Sequence, residues 1–127
     1  MTDPRLTAWA RTLINYSTAV KPGDVVSIEG DVPSRPLLQA LYREALKAGG
    51  RPVVIPRMPE VQADLLELGS DEQLAWLSPV EQWSRGTADV YIRVIAEENT
   101  KALSRIDPER QIVRKRAAAP LMKTMMD

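Results

Sequence analysis

The feature that most constrains this chain is a strand-like run, a strongly periodic helix and a second strand-like run, in that order. Val25, Val26 and Ile28 form a short β-branched run closed by Gly30, which predicts a buried strand. Asp31 to Pro36 supplies turn and capping residues. Behind it Leu37, Leu38, Leu41, Tyr42, Ala45, Leu46 and Ala48 recur at helical spacing until Gly49-Gly50 stops them. Pro52-Val53-Val54-Ile55-Pro56 then predicts a second strand, with prolines only at its boundaries. A strand, a helix and a strand so spaced make a βαβ unit, which implies parallel pairing through a right-handed crossover.

The flanking segments extend that pattern. Leu6, Trp9, Ala10, Leu13, Ile14 and Ser17 give an amphipathic helix over 3–18, opened by Asp3 as N-cap and Pro4, and Lys21-Pro22-Gly23-Asp24 ends it. Between Pro59 and Gly86 the signals are helical: Val61, Leu65, Leu66 and Leu68 stop at Gly69, Ser70 to Gln73 fits a capping box, and Ser78 to Glu81 fits another. Asp89 to Ile95 alternates as a third strand with Val90, Ile92 and Val94 on its apolar face. Asn99 to Ile106 allows a helical turn or two, and Asp107-Pro108-Glu109 caps a last helix running towards Asp127. The expectation is one α/β domain over 1–127, a three-layer α/β/α arrangement whose short, mainly parallel sheet has at least three strands. Leu121, Met122, Met125 and Met126 keep the last helix apolar to the final residues, which suggests the amino-terminal domain of a longer protein.

Composition removes whole chemistries. The 127 residues contain no His and no Cys, so a Ser-His-Asp triad, a thiolate nucleophile, a disulfide and the usual zinc sites are excluded. A metal held by this chain alone would need an all-oxygen shell. Seventeen basic residues balance seventeen acidic ones, which argues against nucleic acid or an anionic membrane as partner. The start, Met1 to Arg5, lacks a signal-peptide pattern, and no apolar run approaches the ~18–20 residues that span a bilayer, so a cytoplasmic location is expected.

Candidate chemistry is sparse. In open parallel sheets ligands gather at the carboxyl ends of strands. Those ends carry Glu29 and Asp31 after the first strand and Glu97 and Glu98 after the third, a set of carboxylates able to hold Mg²⁺. The competing reading is that such residues cap helices and stay solvated. None of the six glycines forms a nucleotide-binding loop. Arg110, Arg114, Lys115 and Arg116 make a basic run that fits a solvated or partner-packed face better than RNA, because no aromatic platform accompanies it. Trp9, Trp76 and Trp83 are expected in a core or an interface.

Several longer stretches resemble a known family. The order Asn15-Tyr16-Ser17, Lys21 to Val26 and Pro36 to Gly50 is similar to the amino-terminal domain of the aminopeptidase T (M29) metallopeptidases. So are Ala88 to Ile92 leading into Ala96-Glu97-Glu98-Asn99-Thr100, and the basic helix that reaches Ala119 to Met122. The resemblance implies a parent enzyme that removes amino-terminal residues from peptides using divalent metal ions (Co, Zn, Mn or Mg). In that family carboxylates, histidines and a tyrosine of the carboxy-terminal domain hold the metals. This chain has no His, so no catalytic, cofactor or metal residue carries over. The resemblance thus implies a domain inactive by itself, partnered by a catalytic carboxy-terminal domain, meeting peptide only through the parent, and contributing to a homodimer. The alternative is a stand-alone binding or regulatory module with Glu29, Asp31, Glu97 and Glu98 as its Mg²⁺ cluster.

Overall fold

The structure is a computed structural model that describes residues 3–95 and 107–126, with side chains up to 117. It contains a three-stranded parallel sheet with flanking helices, as the strand–helix–strand order requires. The chain divides into two compact units, Met1–Arg57 with Ala88–Glu97, and Met58–Thr87 with Glu98–Asp127.

In the first unit, helix α1 (Pro4–Thr12) opens with the Asp3 carboxylate accepting from the Arg5 amide at 2.9 Å. The amphipathic segment expected to be one α-helix instead widens into a π-helical turn over Leu13–Ser17. Thr18 closes that turn, its amide and its hydroxyl both donating to the Leu13 carbonyl, a five-residue step that an α-helix does not make. Strand β1 (Val25–Asp31) follows, then a 3₁₀ turn (Val32–Ser34), helix α2 (Arg35–Lys47) and strand β2 (Arg51–Arg57). Strand β3 (Val90–Val94) completes the sheet in the order β2-β1-β3, all parallel.

Register assigns the two faces. Val26 pairs with Pro52 and Val90, and Ile28 with Val54 and Ile92, so even-numbered residues of all three strands share one face. Val26, Ile28 and Ile92 there join Ala10 and Ile14 of the first helical segment and Leu37, Leu38, Leu41 and Ala45 of α2 in one buried cluster. Gly30 lies on the same face beneath α2. A Cβ at that position would stand 2.5 Å from Leu38 Cδ2, so the missing side chain is what lets Leu38 seat on β1. Helix α2 ends in a Schellman motif: the Gly50 amide donates to the Ala45 carbonyl and the Gly49 amide to that of Leu46, with Gly49 at φ +85°.

The second unit is helical: α3 (Pro59–Leu68), α4 (Asp71–Ala75), α5 (Pro79–Gln82), a π-helical turn (Trp83–Thr87) and α6 (Pro108–Met126), which runs unbroken through Pro120. Ser70 and Gln73 form the expected capping box, and Ser78 caps α5. The basic run departs from expectation. Arg110 Nε donates to the Leu66 carbonyl at 2.7 Å, and its Nη2 reaches the Gly69 carbonyl. Arg114, one turn on, donates to the Leu74 and Trp76 carbonyls and grips both oxygens of Glu81 at 2.9 and 3.0 Å. Two of the four cations therefore satisfy the orphan carbonyls at the ends of α3 and α4 rather than facing solvent. Lys115 and Arg116 stay exposed.

The tryptophans also differ from the expected packing: Trp9 is 55% exposed and Trp76 63%, while Trp83 is half-buried. Residues 121–126 lie on the last turns of α6, and their side chains are outside the described ones. So are all atoms of Asn99 to Ile106. Among the described residues no helix is long and apolar enough to cross a membrane.

Candidate functional site

On its odd-numbered face β1 is polar from Ser27 onward, where a central parallel strand is ordinarily apolar. Ser27, Glu29 and Asp31 alternate along β1 on this face and are 0%, 1% and 4% exposed. Burial of a carboxylate demands partners, because desolvation of the charge otherwise costs several kcal/mol. Glu29 finds them on both neighbouring strands. Arg57 Nη1 of β2 donates to Glu29 Oε2 at 3.2 Å, and the Tyr91 hydroxyl of β3 donates to the same oxygen at 2.6 Å. Neither partner stands directly opposite Glu29, whose register neighbours are Ile55 and Arg93. Both reach it diagonally, a span that long side chains bridge and short ones do not.

Asp31 ends β1 and caps the turn that follows. Its Oδ1 accepts from the Ser34 amide at 3.2 Å and from the Ser34 hydroxyl, which fixes the 3₁₀ turn leading into α2. The turn aims α2 back across the sheet, so this carboxylate sets the direction of the crossover. At the opposite end of the sheet Asp89 accepts from the Val25 amide at 2.8 Å, pinning the start of β1 to the start of β3.

The network sits beside the point where the sheet reverses. The chain leaves β1 for β2 on one side, and β3 lies on the other, so the switch point is between β1 and β3, the place where open α/β sheets bind ligands. On the even face a groove of about 440 Å³ opens beside the β2 edge, lined by Val32, Leu38, Tyr42 and Val54, with Asp31 and Arg35 at its polar end.

Of the four carboxylates singled out by sequence, Glu29 and Asp31 fall on the same strand and the same face, while Glu97 and Glu98 lie outside the described residues. Sequence reasoning missed Ser27, Arg57 and Tyr91. The signal was present in the period of two, which puts Ser27, Glu29 and Asp31 on one face of a strand read as wholly apolar. What the pattern lacks is any mark that Arg57 and Tyr91 come from strands on either side.

The arrangement suits an ion pair and not a metal. Glu29 Oε2 is occupied by a guanidinium and a phenol, and Asp31 Oδ1 by Ser34. Among the described residues no group of three or more acidic side chains is placed to hold a metal ion, and His and Cys are missing from the sequence. A divalent cation at Glu29 would have to displace Arg57 and overcome its charge. The network ties the carboxyl ends of β1 and β2 to β3.

A family model described as thermophilic metalloprotease (M29) matches residues 2–127. The fold is similar to wild-type AmpT from Thermus thermophilus, with a TM-score of 0.68 at 20% identity over 95% of this chain and 32% of AmpT. The chain thus spans about a third of AmpT's length. No curated protein matches significantly.

Proposed function

Because the chain belongs to the M29 metallopeptidase family, we propose that it acts as the non-catalytic amino-terminal domain of a metal-dependent aminopeptidase. In this reading the parent enzyme hydrolyses amino-terminal residues from peptides with divalent metal ions held elsewhere. The observation that supports it is the family match over residues 2–127 of a sequence that contains neither His nor Cys. Metal ions supply such enzymes with an activated water and a polarised carbonyl. In this reading the chain serves as a folded platform, held together through the Glu29–Arg57–Tyr91 network and the buried even face.

In this reading its partners are a catalytic carboxy-terminal domain, peptide substrate through that domain, and a second subunit in a homodimer, with neither nucleic acid nor membrane involved, and it works in the cytoplasm. The test is an assay of the purified 127-residue chain with Leu-p-nitroanilide and added Co²⁺, Mn²⁺ or Zn²⁺, alongside metal analysis after dialysis. The expected result is no turnover and no retained metal. Turnover that scales with chain concentration and disappears with chelator would overturn the non-catalytic role. Titration with Mg²⁺ while following Glu29 and Asp31 by NMR separates this reading from a stand-alone Mg²⁺-binding module, which requires saturable shifts at both residues.

A further inference from the structure

A third buried carboxylate lies between α1 and α2. Glu44 of α2 has a side chain 5% exposed, yet its Oε1 accepts no hydrogen bond from any described group. Arg11 Nη2 of α1 stands 3.6 Å away and Lys47 Nζ 3.5 Å. Those distances give Coulomb attraction but leave the oxygen's lone pairs unmet, and an unmet buried acceptor is costly. Beside it opens a cavity of about 80 Å³ lined by Thr7 of α1 and by Ala40, Arg43, Glu44 and Lys47 of α2. Four of these five residues carry hydrogen-bonding side chains.

We infer that this cavity is a binding site for ordered water, which donates to Glu44 Oε1 and bridges it to the α1 side of the joint. Size admits it, since one water needs roughly 10–15 Å³ of such space. Polarity admits it too, because the walls offer a hydroxyl, a guanidinium and an ammonium as further partners. A metal cation is the wrong guest with Arg11 and Lys47 both within 3.6 Å. An anion is wrong against the carboxylate itself. Direct closure by Arg11 or Lys47 would draw in side chains that are 58% and 61% exposed and well hydrated where they stand. Water is the one small donor without net charge that meets all four conditions.

Water-to-protein NOE spectroscopy of the intact chain in solution tests the site. The expected result is a long-lived water cross-peak to the Ala40 methyl and the Thr7 side chain, lost in Glu44→Met and weakened in Thr7→Val. Should Glu44→Met fail to fold, Thr7→Val and the wild-type spectrum still decide. Absence of the cross-peak in the wild type, or its persistence at full intensity in a folded Glu44→Met, overturns the inference.

Discussion

At the scale of single residues, two positions carry more of the fold than their size suggests. Gly30 is the position on β1 where Leu38 of α2 approaches most tightly. Gly30→Ala forces the buried Leu38 side chain to move and should destabilise the chain by about 1–3 kcal/mol, read as a lower urea midpoint at unchanged slope. An unaltered midpoint would mean that Leu38 repacks freely. Tyr91 is the second. Tyr91→Phe removes a hydroxyl that donates to a carboxylate 1% exposed, and should cost about 1–3 kcal/mol in the same measurement. Arg57→Met should cost more, about 3 kcal/mol, because it removes the countercharge and not only a donor. The ranking is the test: Arg57→Met milder than Tyr91→Phe would show that hydrogen bonding, not charge, holds Glu29 in place.

At the scale of elements, helix ends and sheet edges govern. Arg114 joins α6 to the ends of α4 and α5 with a planar fork, so Arg114→Lys should destabilise nearly as much as Arg114→Ala, by about 3 kcal/mol, measured by thermal unfolding. Rescue by lysine would reduce the role to simple charge. The β2 edge shows a different device. The Arg51 amide donates inward to the Asp24 carbonyl, so in a parallel strand the odd residues of β2 face β1, and Pro52, Val54 and Pro56 face outward. Prolines there leave Val54 with the sole N–H on that edge within β2, which blunts strand addition. Pro52→Val with Pro56→Val should therefore turn the chain towards self-association in sedimentation velocity; a monodisperse double variant at unchanged size would refute the edge-blocking role.

The elements also show how much was legible in advance. The three strands, α2 with its glycine stop, and the caps at Ser70 and Ser78 were readable because each depends on neighbours within a few positions. The π-helical turn at Leu13–Ser17 was not, since an amphipathic stripe fits both helix types and only the tertiary setting selects the wider one. The inward role of Arg110 and Arg114 was equally hidden. A basic helical run looks the same whether its charges meet water or the carbonyls of helices some forty residues earlier.

At the scale of the whole molecule, the chain belongs to the M29 family, and among the described residues no group of three or more Asp or Glu side chains is gathered at one place. Added Co²⁺ or Zn²⁺ should leave its melting temperature unchanged, because an ion that does not bind the folded state cannot stabilise it. A dose-dependent rise would contradict the platform role and point to a metal site.

The sequence alone determined the α/β class, the succession of strands and helices along the chain, the exclusion of His- and Cys-based chemistry, and the candidate carboxylates Glu29, Asp31, Glu97 and Glu98. These follow from local periodicity, capping and composition, which act over a few residues. Tertiary structure decided what Glu29 and Asp31 do. Glu29 is met by Arg57 twenty-eight residues away and Tyr91 sixty-two residues away, and Arg114 reaches back thirty-three to Glu81. Pairing of charges across strands and helices depends on register and crossover, and no local pattern encodes either.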